Sequence, residues 1–181
     1  EAALGILGYL FCWEMLAAPG KRIRRMLAMA PLGGLVVAYL AVYAIMRYGA
    51  ASSATYINPI RDPLMFLNHA AGRMLGMLTG QLLAIPADLW MFAPPLAPFL
   101  AALGVAGLVL FAALLRWAWP GLDARERQAV LWTCGGAVLS LLPVAATFPT
   151  SRLLMLPSMG AAVATGAILR HWWRWCLARK E

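Results

Sequence analysis

Five long apolar runs, separated by short stretches of charged or turn-forming residues, make up most of this sequence. Each run is close to the ~20 residues that a helix needs to cross the hydrocarbon core of a bilayer. Asp123 precedes the fourth run in the position of a helix N-cap. The sequence therefore predicts an all-α, polytopic transmembrane bundle of about five spans that forms a single membrane domain over residues 1–181. The predicted spans are residues 2–18, 26–48, 99–119, 129–146 and 153–169.

The composition also favours a bilayer environment. Charged residues make up 12% of the chain, whereas they make up roughly a quarter of soluble domains. The net charge of +8 does not indicate nucleic-acid binding, because the cations form short clusters between apolar runs. The three cysteines lack the spacing of metal ligands, so we expect no metal and no cofactor.

Residues 63–85 follow a different pattern. Polar residues and glycines share one helical face and leucines dominate elsewhere, so this segment is predicted to be an amphipathic helix. A transmembrane placement would put His69 and Arg73 near the middle of the bilayer, which is costly. An interfacial or re-entrant placement on the outer face keeps the polar side in water and is favoured.

The distribution of Lys and Arg predicts the orientation. Eleven cations fall on one side of the predicted bundle and four on the other. Cytoplasmic loops carry the excess of Lys and Arg, so the larger group, with the C-terminus, is predicted to be cytoplasmic. We expect a multi-pass protein of a bacterial-type inner (plasma) membrane. Because the chain enters an apolar run directly after Glu1, it is either a short protein or part of a longer one.

Seven polar residues map to the predicted outer face. Guanidinium groups match phosphate oxygens bidentately, so the arginines among them are suited to the phosphate of a lipid carrier such as a polyprenyl phosphate. The alternative is that scattered arginines contact only the headgroups of membrane lipids. The arginines are Arg47, Arg61, Arg73 and Arg152, and the other members of this possible polar site are Asp62, His69 and Asp88.

The segment RLLMLPSMG, residues 152–160, resembles a motif of arginine, apolar residues, Pro-Ser, any residue and Gly. This motif occurs in late spans of polytopic glycosyltransferases of the GT-C type, including the O-mannosyltransferase-like group. In that pattern an acid precedes the arginine and an aromatic residue follows it, whereas Ser151 and Leu153 stand here. The resemblance implies that the chain is the C-terminal transmembrane part of such a protein, with Arg152 contacting a carrier phosphate.

Two functional hypotheses follow. In the first, the chain is part of a lipid-linked-sugar glycosyltransferase-like protein with a carrier-phosphate site on its outer face. Arg152 alone is not expected to be catalytic, and whether the chain has any catalytic activity stays open. In the second, it is a non-catalytic structural or assembly subunit of a larger membrane complex. The glycines Gly72, Gly76 and Gly80, spaced by four, predict the close approach of another helix in that case.

Overall fold

The computed structural model describes residues 2–46, 56–59, 61–147 and 150–179. These residues form α-helices and short 3-10 helices without any strand, which confirms the all-α class. The α-helices are α1 (Ala2–Leu16), α2 (Arg22–Ala28), α3 (Ala30–Ile45), α4 (Pro63–Leu83), α5 (Leu89–Phe92), α6 (Ala97–Ala118), α7 (Ala124–Val144) and α8 (Ser158–Ala178). The 3-10 helices are Pro94–Leu96, Trp119–Gly121 and Ser151–Leu154.

Two stretches of the described chain are long and apolar enough to cross a membrane. They are Arg22–Ile45 and Pro94–Gly121, with mean hydropathies of 1.9 and 2.4. Leu4–Leu16 is apolar but shorter. The apolar part of α8 is also short: α8 begins at Ser158, and Arg170 ends its apolar part. Five spans therefore remain a prediction.

Helix α7 lies at the centre of the bundle and runs antiparallel to α1. A Cβ added to Gly8 would lie 2.8 Å from Cβ of Leu139, and one added to Gly135 would lie 2.9 Å from Sγ of Cys12. The absence of side chains at these two positions lets the helices approach closely.

Helix α8 is antiparallel to α7 on another side. A Cβ on Gly160 would lie 2.5 Å from the carbonyl oxygen of Thr133. Ten residues further along α8, Arg170 forms an ion pair with Glu126. The start of α7 carries a capping box, in which Asp123 accepts from the Glu126 amide and Glu126 accepts from the Asp123 amide. Asp123 is thus the predicted N-cap, and this prediction is confirmed.

Helix α4 packs beside the first half of α6. A Cβ on Gly107, about halfway along α6, would lie 3.1 Å from the side chain of Leu83 at the end of α4. The chain then turns back along α4, because Ala87 lies against Gly80 and Trp90 lies against Gly76. The chain before α6 therefore consists of α4 and a segment that runs back along α4.

Helices α2 and α3 have no buried residue. Leu35 and Val37 are each 67% exposed and Ile45 is 77% exposed. A helix that is apolar on all sides requires an apolar environment on all sides. The described part of this chain does not surround α3 with apolar residues in this way.

Candidate functional site

The C-terminal end of α7 is the meeting point of several segments that the sequence places on the predicted outer face. The amide of Ile57 donates to the carbonyl oxygen of Ala146 at 2.9 Å, which brings the segment before α4 to this end. The first half of α4, the connection after it and the 3-10 helix Ser151–Leu154 also pack here. We call this region, comprising residues 56–59, 61–73, 87–88, 145–147 and 150–154, the polar end.

Arg73 of α4 is held by the end of α7. Its Nη1 donates to the carbonyl oxygens of Ala145 at 3.1 Å and Ala146 at 3.0 Å. The last carbonyls of a helix have no partner within the helix and carry partial negative charge. Partial burial lowers the pKa of the Arg73 guanidinium from its ordinary value, but arginine stays protonated in proteins. Arg73 therefore joins α4 to α7 through a charged cap.

Asp88 fixes the 3-10 helix that contains Arg152. The Ser151 hydroxyl donates to Oδ2 of Asp88 at 3.1 Å, and the Ser151 amide lies 3.4 Å from the same oxygen. The Ser151 hydroxyl also accepts from the amide of Ala87 at 3.3 Å. Ser151, which stands where the GT-C-like pattern has an acid, thus connects two segments of the polar end.

The remaining predicted site residues lie near the start of α4. Arg61, Asp62 and His69 are all exposed. The Arg61 amide donates to Oδ1 of Asn58 at 3.2 Å, and Nδ1 of His69 lies 2.9 Å from the carbonyl oxygen of Met65. Asp62 occupies the N-cap position of α4, but its side chain does not cap the helix.

Two of the four predicted phosphate-binding arginines are described only in part or not at all. Arg47 lies outside the described residues. The backbone of Arg152 belongs to the 3-10 helix Ser151–Leu154, and its side chain lies outside the described part of the chain. Of the predicted site residues, the polar end therefore contains Arg61, Asp62, His69, Arg73, Asp88 and the backbone of Arg152.

The Pro-Ser-x-Gly part of the RLLMLPSMG segment has packing roles. Pro157 immediately precedes α8, and the Ser158 hydroxyl donates to the carbonyl oxygen of Leu154 at 2.6 Å. Gly160 permits the close contact with α7 described above.

Tyr9 of α1 holds the start of α8 and was missed by reasoning from the sequence. Its buried hydroxyl donates to the carbonyl oxygen of Leu156 at 2.7 Å and accepts from the amide of Gly160 at 3.3 Å. A tyrosine inside an apolar run is itself a signal, since a buried tyrosine hydroxyl usually has a hydrogen-bond partner.

The predicted glycine face of α4 is used mainly within this chain. A Cβ on Gly76 would lie 2.9 Å from the ring of Trp90, and one on Gly80 would lie 2.9 Å from the carbonyl oxygen of Ile85. A Cβ on Gly72 would meet no atom within 4 Å in the described structure. Packing of a foreign helix against these glycines stays a prediction.

The opposite end of α7 gathers cations. Helix α7 has 21 residues, which corresponds to a length of about 30 Å. At its start, Gln128 donates to the carbonyl oxygen of Leu16, Arg127 donates to the carbonyl oxygen of Trp119, and Glu126 pairs with Arg170. We call this region, which contains residues 17–25, 116–128 and 170–179, the cationic end.

No group of three or more His, Cys, Asp or Glu residues in the described ranges is placed to hold a metal ion. Comparisons of the chain with known protein families, with curated proteins and with solved structures give no match.

Proposed function

We propose that this chain is a multi-span helical protein of a bacterial-type inner membrane and acts as a non-catalytic structural or assembly unit of a larger membrane protein or complex. The observation that carries this proposal is α3, an apolar helix without a buried residue. Arg22–Ile45 is long enough to cross a bilayer, and Lys21, Arg22, Arg24 and Arg25 precede its apolar part. The lipid of a bilayer would supply the apolar surroundings of α3 that the described part of the chain does not provide.

The separation of the two ends supports a membrane-embedded bundle of about five crossing helices. The polar end and the cationic end lie at opposite ends of α7, about 30 Å apart, which is close to the thickness of a bilayer's hydrocarbon core. The cationic end contains ten Lys and Arg residues within the described chain. With this excess of cations in the cytoplasm, the C-terminus is cytoplasmic and the polar end faces outward.

The course of α4 supports a re-entrant placement. The helix starts at the polar end and ends beside Gly107, and the chain then returns along α4 to α6. Non-helical backbone at membrane depth is tolerated where protein covers it. The return segment meets this condition in part: Ile85 lies against Gly80 and Ala87 is buried, whereas Ala84 and Pro86 are exposed.

The engagement of the charged groups supports a structural role. Arg73 bonds to the end of α7, and Asp88 bonds to Ser151. Each of these contacts joins two separate segments of the chain. General acid-base catalysis needs a side chain directed at a substrate, within hydrogen-bond reach of the proton transferred. These two polar side chains are instead directed at the protein itself.

Labelling of single added cysteines tests the insertion. Ser151→Cys should react with a membrane-impermeant maleimide in intact spheroplasts, whereas Arg125→Cys should react only after the membrane is permeabilised. The unmodified chain, with its three native cysteines, gives the background. Equal labelling of both variants in intact spheroplasts contradicts the proposed insertion.

Purification in a mild detergent tests the assembly role. Gly34 and Ala38 form an exposed pair of small residues on α3, suited to close contact with another helix. Gly34→Leu should shift the purified particle from the mass of a complex to the mass of the single chain. Gly166→Leu is the matched control, because a Cβ at either glycine meets no atom within 4 Å. A wild-type chain that already migrates at its single-chain mass contradicts the assembly role.

One observation favours a second candidate function, a carrier-phosphate site of a glycosyltransferase-like protein. The turn that contains Arg152 is held by Asp88 through Ser151 and by Ser158 through Leu154. Binding residues act best when rigid elements position them. Under this proposal Arg152→Ala abolishes binding of a polyprenyl phosphate in a native-lipid pull-down, while Arg61→Ala weakens it. Undiminished binding by Arg152→Ala rejects the second candidate.

A further inference from the structure

An apolar groove of about 300 Å³ lies between α1 and the pair α2–α3. The residues that line it are all apolar. They include Leu7, Phe11 and Met15 of α1, Met26 of α2, Met29 between α2 and α3, and Gly33 of α3. Leu7, Phe11 and Met15 are spaced by four and so share one face of α1. A lining without polar side chains offers a polar ligand no side-chain hydrogen bond, but it suits a hydrocarbon chain.

One end of this groove lies beside a cluster of cations. Met15 is in the last turn of α1 and Met26 is in α2, and the connection between the two helices carries Lys21. Within α2, Arg22 precedes Met26 by four residues and therefore shares its face, whereas Arg24 lies on another face. Arg22 is exposed, so its guanidinium is accessible at the groove's end.

Arg25 has a different role at the same end. It precedes Met29 by four residues and shares the groove side of α2. Its Nη1 donates to the carbonyl oxygen of Ala18, and its Nε is buried without a hydrogen-bond partner in the described structure. Arg25 therefore holds the connection between α1 and α2 in place beside Arg22.

We propose that this groove and Arg22 form a binding site for one anionic phospholipid, with an acyl chain along Phe11 and Met29 and the phosphate at Arg22. The site rests on the membrane embedding proposed above. Charge complementarity identifies the occupant, because an apolar trough that ends at a cation matches a lipid with a negative headgroup. The cationic end faces the leaflet where anionic lipids attract basic segments. Methionine side chains adapt to an irregular chain such as an acyl tail.

Native mass spectrometry of the detergent-purified protein tests the headgroup contact. Titration with dioleoyl phosphatidylglycerol should give one tightly retained lipid, and dioleoyl phosphatidylcholine should be retained less. Arg22→Gln should weaken phosphatidylglycerol binding by up to about fivefold, as expected for the loss of one direct contact between exposed charges. Arg24→Gln, on the other face of α2, should leave it unchanged. Equal retention of the two lipids, or equal losses in the two variants, overturns the proposal.

A second pair of variants tests the groove. Gly33→Leu places a side chain in the groove and should weaken the binding of both lipids, while Gly166→Leu, on α8 and outside the lining, should not. A Cβ at either glycine meets no atom within 4 Å, so both variants should keep the fold. Lipid binding that survives Gly33→Leu overturns the site. Cysteine labelling reports insertion separately, so normal insertion with failed lipid selectivity rejects this site and leaves the membrane proposal standing.

Discussion

The guanidinium of Arg73 lies 3.0 Å from the carbonyl oxygen of Ala146, and this bond fastens the middle of α4 to the C-terminal end of α7. A second bond from the same nitrogen reaches Ala145. The cation meets the negative end of a helix dipole, where positive charge is stabilising. The arginine whose pattern suggested phosphate binding is thus also a structural link between two helices.

Replacing Arg73 should destabilise the protein more than replacing an exposed arginine. Arg73→Met keeps the apolar stem but leaves the carbonyls of Ala145 and Ala146 without their charged donor. Because hydrogen bonds to charged groups contribute about 1.5–3 kcal/mol, we expect the free energy of unfolding to fall by about 2 kcal/mol. Arg61→Met, at an exposed position, should change it by less than about 0.5 kcal/mol. Thermal unfolding in detergent, followed by tryptophan fluorescence, measures both, and equal effects would show that the link contributes little.

Gly160 and Gly166 should respond in opposite directions to the same substitution. A Cβ at Gly160 would lie 2.5 Å from the carbonyl oxygen of Thr133 and 2.6 Å from Cβ of Ala137, so Gly160→Ala forces α7 and α8 apart. We expect a loss of stability of about 1–3 kcal/mol, as for other overpacked contacts. A Cβ at Gly166 meets no atom within 4 Å, and alanine is the better helix former by about 1 kcal/mol. Gly166→Ala should therefore raise the unfolding temperature, and the fluorescence assay distinguishes the two outcomes.

The helical class and the N-cap at Asp123 were predictable because both depend on patterns within a short stretch of sequence. The separation of the cationic end from the polar end was predictable for the same reason, since charge clusters mark the ends of apolar runs. These local patterns do not fix the number of transmembrane spans. Arg170 ends the apolar part of α8 although the helix itself continues to Ala178.

The partners of the polar residues were not predictable, because they depend on which helix end stops beside which side chain. The spacing of Arg73 within α4 identifies its face, but only the packed structure brings it to Ala146. The residues Pro157, Ser158 and Gly160 resemble a family motif, yet their contacts serve to start and pack α8. A short motif does not by itself separate packing residues from binding residues.

Tyr9→Phe should loosen the start of α8. The substitution removes the hydroxyl that donates to Leu156 and accepts from the Gly160 amide, and it leaves both backbone groups without this partner inside the bundle. An unsatisfied buried polar group costs about 1–3 kcal/mol. We expect a fall in unfolding free energy of that size and faster hydrogen exchange at the Gly160 amide. Tyr39→Phe, on the exposed α3, is the control, and an equal fall there would contradict the role assigned to Tyr9.

Removing the carboxylate of Asp88 should loosen the turn that contains Arg152. Oδ2 of Asp88 accepts from the hydroxyl and the amide of Ser151. Asp88→Asn keeps the shape of the side chain but replaces the charged carboxylate that these two donors share with a neutral amide. Hydrogen bonds to charged groups are about twice as strong as neutral ones, and the amides of residues 151–154 should therefore exchange several-fold faster in a hydrogen-exchange measurement.

Asp62→Asn is the matched control for this effect. Asp62 is exposed and its side chain does not cap α4, so exchange in the 151–154 turn should stay unchanged. If Asp88→Asn leaves exchange in the turn unaltered, the contact with Ser151 does not hold the turn, and the support for Arg152 as a rigidly positioned phosphate ligand falls with it. If exchange rises while polyprenyl-phosphate binding by the chain weakens in parallel, the position of this turn governs binding.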